Sequence, residues 1–74
     1  MKFFKVEHRY DQYDHWRPRL TTTDHERATR CVQHALETLG GEVCLVECRT
    51  NDQGDFYLAD ESYFKAETTK EKSE

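Results

Sequence analysis

The side chains able to do chemistry are three cysteines and four histidines: Cys31, Cys44, Cys48, His8, His15, His25 and His34. They supply the ligand types of a zinc site, and Cys31 and His34 stand three residues apart. Structural zinc sites use tight ligand pairs such as C-x-x-C, and this chain has neither that pair nor an H-x-x-x-H. Neither a metal nor a cofactor is expected. The same residues could pair a Cys nucleophile with a His base, but a reactive thiolate needs an accessible, electropositive setting. Each Cys falls instead on a face that the apolar pattern marks as buried. No Gly-rich phosphate loop and no nucleophile elbow is present. The chain therefore reads as a non-enzyme, with no catalytic residues. Cys44 and Cys48 on one strand would stand about 13 Å apart, too far to bridge. The thiols are expected to be reduced and to act as small hydrophobes.

A second group of residues suits binding. Tyr10, Tyr13, Trp16, Arg17 and Arg19 lie in one short run, and Tyr, Trp and Arg are the types most enriched at binding hot spots. Arg17 and Arg19 are expected on a face opposite Trp16, with Arg27 and Arg30 of a following helix extending a positive patch. These seven residues are the candidate partner-binding set. The structural alternative is that Trp16 anchors the core. A third group is acidic: Asp52, Asp55, Asp60 and Glu61, with Glu47 nearby, could imitate nucleic-acid phosphates or simply solvate the surface.

The elements that must position these groups follow from periodicity. Residues 21–41 read as the single helix. Thr23 and Glu26 have the spacing of a capping box. Ala28, Cys31, Val32, Ala35, Leu36 and Leu39 make one apolar stripe, and Gly40 and Gly41 supply the stop. Lys2 to Tyr10 alternates as a strand, with Phe4, Val6, His8 and Tyr10 on one side. A second strand from about His15 to Leu20 belongs at a sheet edge, because Pro18 cannot donate to a ladder. Glu42 to Arg49 is apolar on both faces and reads as a central strand. A polar loop at residues 50–54 leads to a fourth strand over Asp55 to Asp60, and Tyr63 and Phe64 are expected to close the core. With Phe4, Val6, Val46 and Leu58 beneath the helix, the opposite face would present Phe3, Val43, Leu45 and Tyr57. Such an uncovered face invites a second copy, so a homodimer through the open sheet face is one expectation.

The expected fold is α+β: β-β-α-β-β, a four-stranded antiparallel sheet with one helix packed on one face. Residues 1–64 form one domain, and residues 65–74 are expected to be a disordered charged tail. A chain of 74 residues has a thin core. Its net charge of −4 supplies no global field toward nucleic acid or an anionic membrane. No apolar run is long enough to span a bilayer and no signal peptide is evident, so no membrane partner is expected and the expected location is the cytoplasm.

The order hairpin (Lys2 to Leu20), helix (Thr23 to Leu39), hairpin (Glu42 to Asp60) resembles that of small phage-encoded anti-CRISPR proteins. The resemblance is one of layout and carries no motif. It implies a non-enzymatic inhibitor, working in the host bacterial cytoplasm, that docks on a Cas effector complex and blocks DNA binding or nuclease recruitment. The alternative reading is a small nucleic-acid-binding regulator using Arg17, Arg19, Arg27 and Arg30, although direct nucleic-acid binding is the less expected partner class.

Overall fold

A computed structural model describes residues 1–66. It contains β1 (Lys2–Arg9), β2 (Arg17–Thr22), α1 (His25–Thr38), β3 (Glu42–Thr50) and β4 (Phe56–Lys65). The strands form one antiparallel sheet in the order β2-β1-β3-β4. This is the β-β-α-β-β, α+β architecture that the periodicity predicts, with Pro18 on an edge strand and β3 in the interior of the sheet. The polar run from Glu67 onward, where a disordered tail is expected, lies outside the described residues. Lys65 itself closes β4, and the Ala66 N–H donates to the Gly41 carbonyl.

The helix starts one residue later than the capping box predicts. Asp24, not Thr23, is the cap: its Oδ1 accepts from the amides of Glu26 at 3.0 Å and Arg27 at 3.4 Å. A carboxylate in this position satisfies orphan amides and complements the positive helix end, which a Thr hydroxyl cannot do as well. Thr22 Oγ1 accepts from the Asp24 amide at 3.1 Å and turns the chain out of β2. The buried stripe is Ala28, Val32 and Ala35, flanked by half-buried Cys31 and Leu36. Leu39 lies past the last turn and is exposed.

The helix rests on β1, β2 and β3. Phe4, Val6 and His8 of β1 and Val43 of β3 lie beneath it, each almost wholly buried. Direct antiparallel partners share a face, and β1 pairs with β3 as Val6 with Leu45 and His8 with Val43. Val43 and Leu45 therefore lie under the helix, while Val46, paired with Lys5, lies on the other face. This reverses the expected assignment for β3. Leu58, paired with Cys48, is likewise on the open face, and Tyr57, paired with Arg49, is on the helix side. A strand apolar on both sides gives no alternation from which to read its orientation, and a slip of one residue exchanges its faces.

The last strand is also longer than expected, running ten residues to Lys65. Tyr63 and Phe64 do not close the core: they are strand residues, 61% and 39% exposed, on an edge that the helix does not cover.

His8 is the one fully buried polar side chain among the described residues. Its Nε2–H donates to the Gly40 carbonyl at 3.0 Å, and the Tyr10 ring packs edge-on against it at 4.7 Å. Nδ1 finds no partner among the described residues. The bond ties the end of α1 to β1. Beside it, Gly41 has φ +70° and is packed against the end of β1: a Cβ there would overlap the Arg9 carbonyl oxygen and come within 3.0 Å of Tyr10 Cα. Gly40 has φ +72° with open space around it. Replacing each by Ala separates the two effects. Gly40→Ala should cost about 1 kcal/mol, the left-handed backbone penalty alone. Gly41→Ala should cost at least twice as much, since β1 must also give way, and urea denaturation of the two variants checks the difference.

Candidate protein-interaction surface

The open face of the sheet is built from the residues of β1 that point away from the helix. Phe3, Lys5, Glu7 and Arg9 alternate with the buried set, and their cross-strand partners are Cys48, Val46, Cys44 and Glu42. At one end Phe3 meets Phe56 edge-to-face, with ring centroids 5.1 Å apart. At the other, the Arg9 guanidinium lies over the Trp16 ring at 4.4 Å, a close cation–π stack. Glu42 holds that guanidinium from the side, accepting from Nε at 2.8 Å and Nη2 at 2.7 Å. Trp16 in turn packs against Tyr63 at 6.0 Å. Trp16 is thus half-buried on the open face, outside the helix-covered core.

Asp14 brings Trp16 there. Its Oδ2 accepts from the Tyr10 amide at 2.9 Å and from Arg17 Nη1 at 2.8 Å, and its Oδ1 accepts from the His15 amide at 2.9 Å. Asp11 Oδ1 accepts from the Tyr13 amide at 2.9 Å. The β1–β2 loop is therefore organised by two aspartates in place of a glycine turn. The Tyr10 amide first, with Arg17 and the His15 amide, holds the Asp14 carboxyl below its ordinary range against desolvation, the second-largest effect.

The seven candidate binding residues do not form one patch. Tyr13 is 88% exposed, on the loop tip. Tyr10 is exposed above His8, with the Arg17 guanidinium 6.0 Å from its ring. Arg17 pairs with His8 in the ladder and so lies on the helix side, opposite Trp16. Arg19 is the extra residue of a β-bulge, because Pro18 faces Glu7 and Leu20 faces Val6. The strand alternation that would put Arg19 with Arg17 is broken at that point. Arg27 and Arg30 are exposed on the helix, Arg30 lying 3.8 Å from Glu26. Arg9, Glu42, Phe3, Phe56 and Tyr63 are absent from the candidate binding set, Phe3 being expected only as an open-face residue and Tyr63 as part of the core. The alternation of β1 already placed Phe3 and Arg9 together, but their partners required the register.

The acidic group is divided as well. Glu47 is on the helix side, where Arg49 donates to it at 2.6 Å and Lys2 lies 4.0 Å away, and the Arg49 bond holds its carboxyl below the usual range. Asp60 pairs with Glu47 on that side, while Glu61 pairs with Val46 on the open face. Asp52 and Asp55 are exposed in the β3–β4 loop, which is closed by Asn51 Oδ1 accepting from the Gln53 and Asp55 amides.

All three cysteines are expected on buried faces, but only Cys44 is buried and Cys31 and Cys48 are half-buried. Cys44 is buried on the open face, and desolvation, then the carboxylates of Glu61 and Glu7, push its thiol up. Tyr63 is pushed up too, by desolvation of its hydroxyl and by the nearby Glu61 carboxylate. A surface groove of about 550 Å³ between the β1–β2 loop and the start of β3 is lined by neither Cys nor His. Among the described residues no three metal-binding side chains converge, and no helix is long and apolar enough to cross a membrane.

No family model, curated protein or solved structure matches the chain.

The Asp14 bonds give a pH dependence with a definite sign. The folded carboxyl titrates below its ordinary value near 3.8, so the unfolded chain takes up the proton first as pH falls. The stabilisation by Asp14 is complete above that value and is lost as pH drops through the folded one. Asp14→Asn should melt below wild type at neutral pH, and the gap should close as both are acidified toward pH ~2. Thermal melts across that range provide the check.

Proposed function

We propose that the protein is a non-enzymatic protein-binding inhibitor that works through the open face of its sheet. What supports this reading is the stack of Arg9, Trp16 and Tyr63, continued along the sheet by exposed Leu58 and Phe56. A fixed arginine on a half-buried tryptophan, with aromatic and aliphatic side chains around it, is the composition of an interface hot spot. Its rigidity matters, because a guanidinium already held by Glu42 loses little freedom on docking.

The partner class we propose is a Cas effector complex, with the protein acting as a phage or mobile-element anti-CRISPR that blocks target DNA binding or nuclease recruitment. The support for that choice is the strand and helix order of a very small domain, which is an analogy of layout. The competing class, nucleic acid read by an arginine patch, is less well supported. Of the four arginines which that reading uses, Arg17 and Arg30 each stand within ion-pair distance of a carboxylate of this chain, as do Arg9 and Arg49 outside it. Side chains so engaged have less charge to offer phosphates.

A tagged pull-down from nuclease-treated bacterial lysate containing CRISPR effector complexes tests the proposal. Stoichiometric recovery of an effector complex is the expected result, and Trp16→Ala should abolish it while retaining the helical circular dichroism signal. Capture of nucleic acid alone, weakening by orders of magnitude as salt rises, would instead establish the phosphate binder.

A further inference from the structure

The two edges of the sheet differ. β2 is short, contains Pro18, and is bent by the bulge at Arg19, all features that discourage another strand from pairing there. β4 has ten residues and no proline. Its own bulge falls at Ala59, between Leu58, which faces Cys48, and Asp60, which faces Glu47. The stretch from Asp60 to Lys65 then runs without irregularity.

Its outward-facing hydrogen-bonding groups can be assigned. In an antiparallel ladder the N–H and C=O of one residue point the same way and alternate along the strand. The Ala66 amide donates inward to Gly41, so Phe64 and Ser62 also aim at β3, and Lys65, Tyr63 and Glu61 aim outward. Glu61, Tyr63 and Lys65 pair with Val46, Cys44 and Glu42, so all three side chains stand on the open face.

The geometry points to a second copy of this chain as the occupant of the β4 edge, paired antiparallel about a two-fold axis at Tyr63. In this register Tyr63 faces Tyr63 of the second copy, and Glu61 faces Lys65 of the second copy on either side of the axis. Every one of these pairs joins residues whose backbone groups aim outward, so each can exchange both N–H···O bonds, with Cα atoms about 5.5 Å apart. The charges are complementary, and faces match throughout: Phe64 meets Ser62 of the second copy on the helix side. A register setting Leu58 against Tyr63 fails, because it crosses the bulge at Ala59 and sets Asp60 against Glu61, like charge against like. The self-complementary segment joins the two sheets into one and leaves the open face of each copy continuous across the seam.

The test is charge reversal read by sedimentation equilibrium. Wild type should sediment at twice the 8.9 kDa chain mass. Glu61→Lys places lysine opposite lysine and Lys65→Glu places carboxylate opposite carboxylate, so each should weaken dimerisation by about tenfold or more. The double variant E61K/K65E restores opposite charges and should restore the dimer. Both side chains are exposed, and circular dichroism verifies that each variant folds. A wild-type monomer at hundreds of micromolar overturns the proposal. So does a dimer indifferent to the single reversals, or one that the double variant does not rescue. None of these outcomes depends on the identity of a host partner.

Discussion

Eight consecutive residue pairs between β1 and β3, from Lys2 with Arg49 to Arg9 with Glu42, are the constraint on which the rest of the molecule depends. The pairing is fixed at both ends. At one, the Thr50 amide donates to the Met1 carbonyl at 3.0 Å. At the other, Gly41 packs against Arg9 and Tyr10, and His8 holds Gly40. A shift of one residue would exchange the faces of β3, exposing Val43 and driving Lys5 and Glu7 partners under the helix. With the register fixed, the small core of Phe4, Val6, Val43, Ala28, Val32 and Ala35 closes.

That core is narrow because one helix of fourteen residues cannot roof four strands. It covers β1, β2 and β3 and leaves β4 outside. The consequence is an asymmetric molecule: the helix side carries most of the buried apolar groups, while the other face buries Cys44 and Val46 and carries exposed Phe56, Leu58 and Tyr63 toward the β4 edge. Phe56, Leu58 and Tyr63 are exposed there, with Phe56 edge-on to Phe3 and Tyr63 against Trp16. The open face nevertheless has order of its own, since Glu42, Arg9, Trp16 and Tyr63 pack in sequence along one end of it.

The β1–β2 connection shows how a polar loop can place an aromatic side chain. Asp14 ties Tyr10, His15 and Arg17 together, which returns the chain toward β1 and swings Trp16 beneath Arg9. Arg17, adjacent in sequence, goes to the opposite side of the sheet. Two residues that composition alone groups in one hot-spot run are thereby divided between two surfaces.

The sequence by itself determined the helix, the four strands and their order, because each rests on local periods and local chemistry: the three-and-four stripe from Ala28 to Leu36, the alternation of β1, and the paired glycines. Pro18 placed β2 at an edge for an equally local reason, its missing N–H. Tertiary structure alone decided which face of β3 is buried, that β4 extends to Lys65 at the edge of the sheet, and that Arg9 and Tyr63 flank Trp16. These depend on register between strands far apart in the chain. Cross-strand pairing is a non-local property, and a strand apolar on both faces, such as Val43 to Val46, carries no periodic mark of which way it turns.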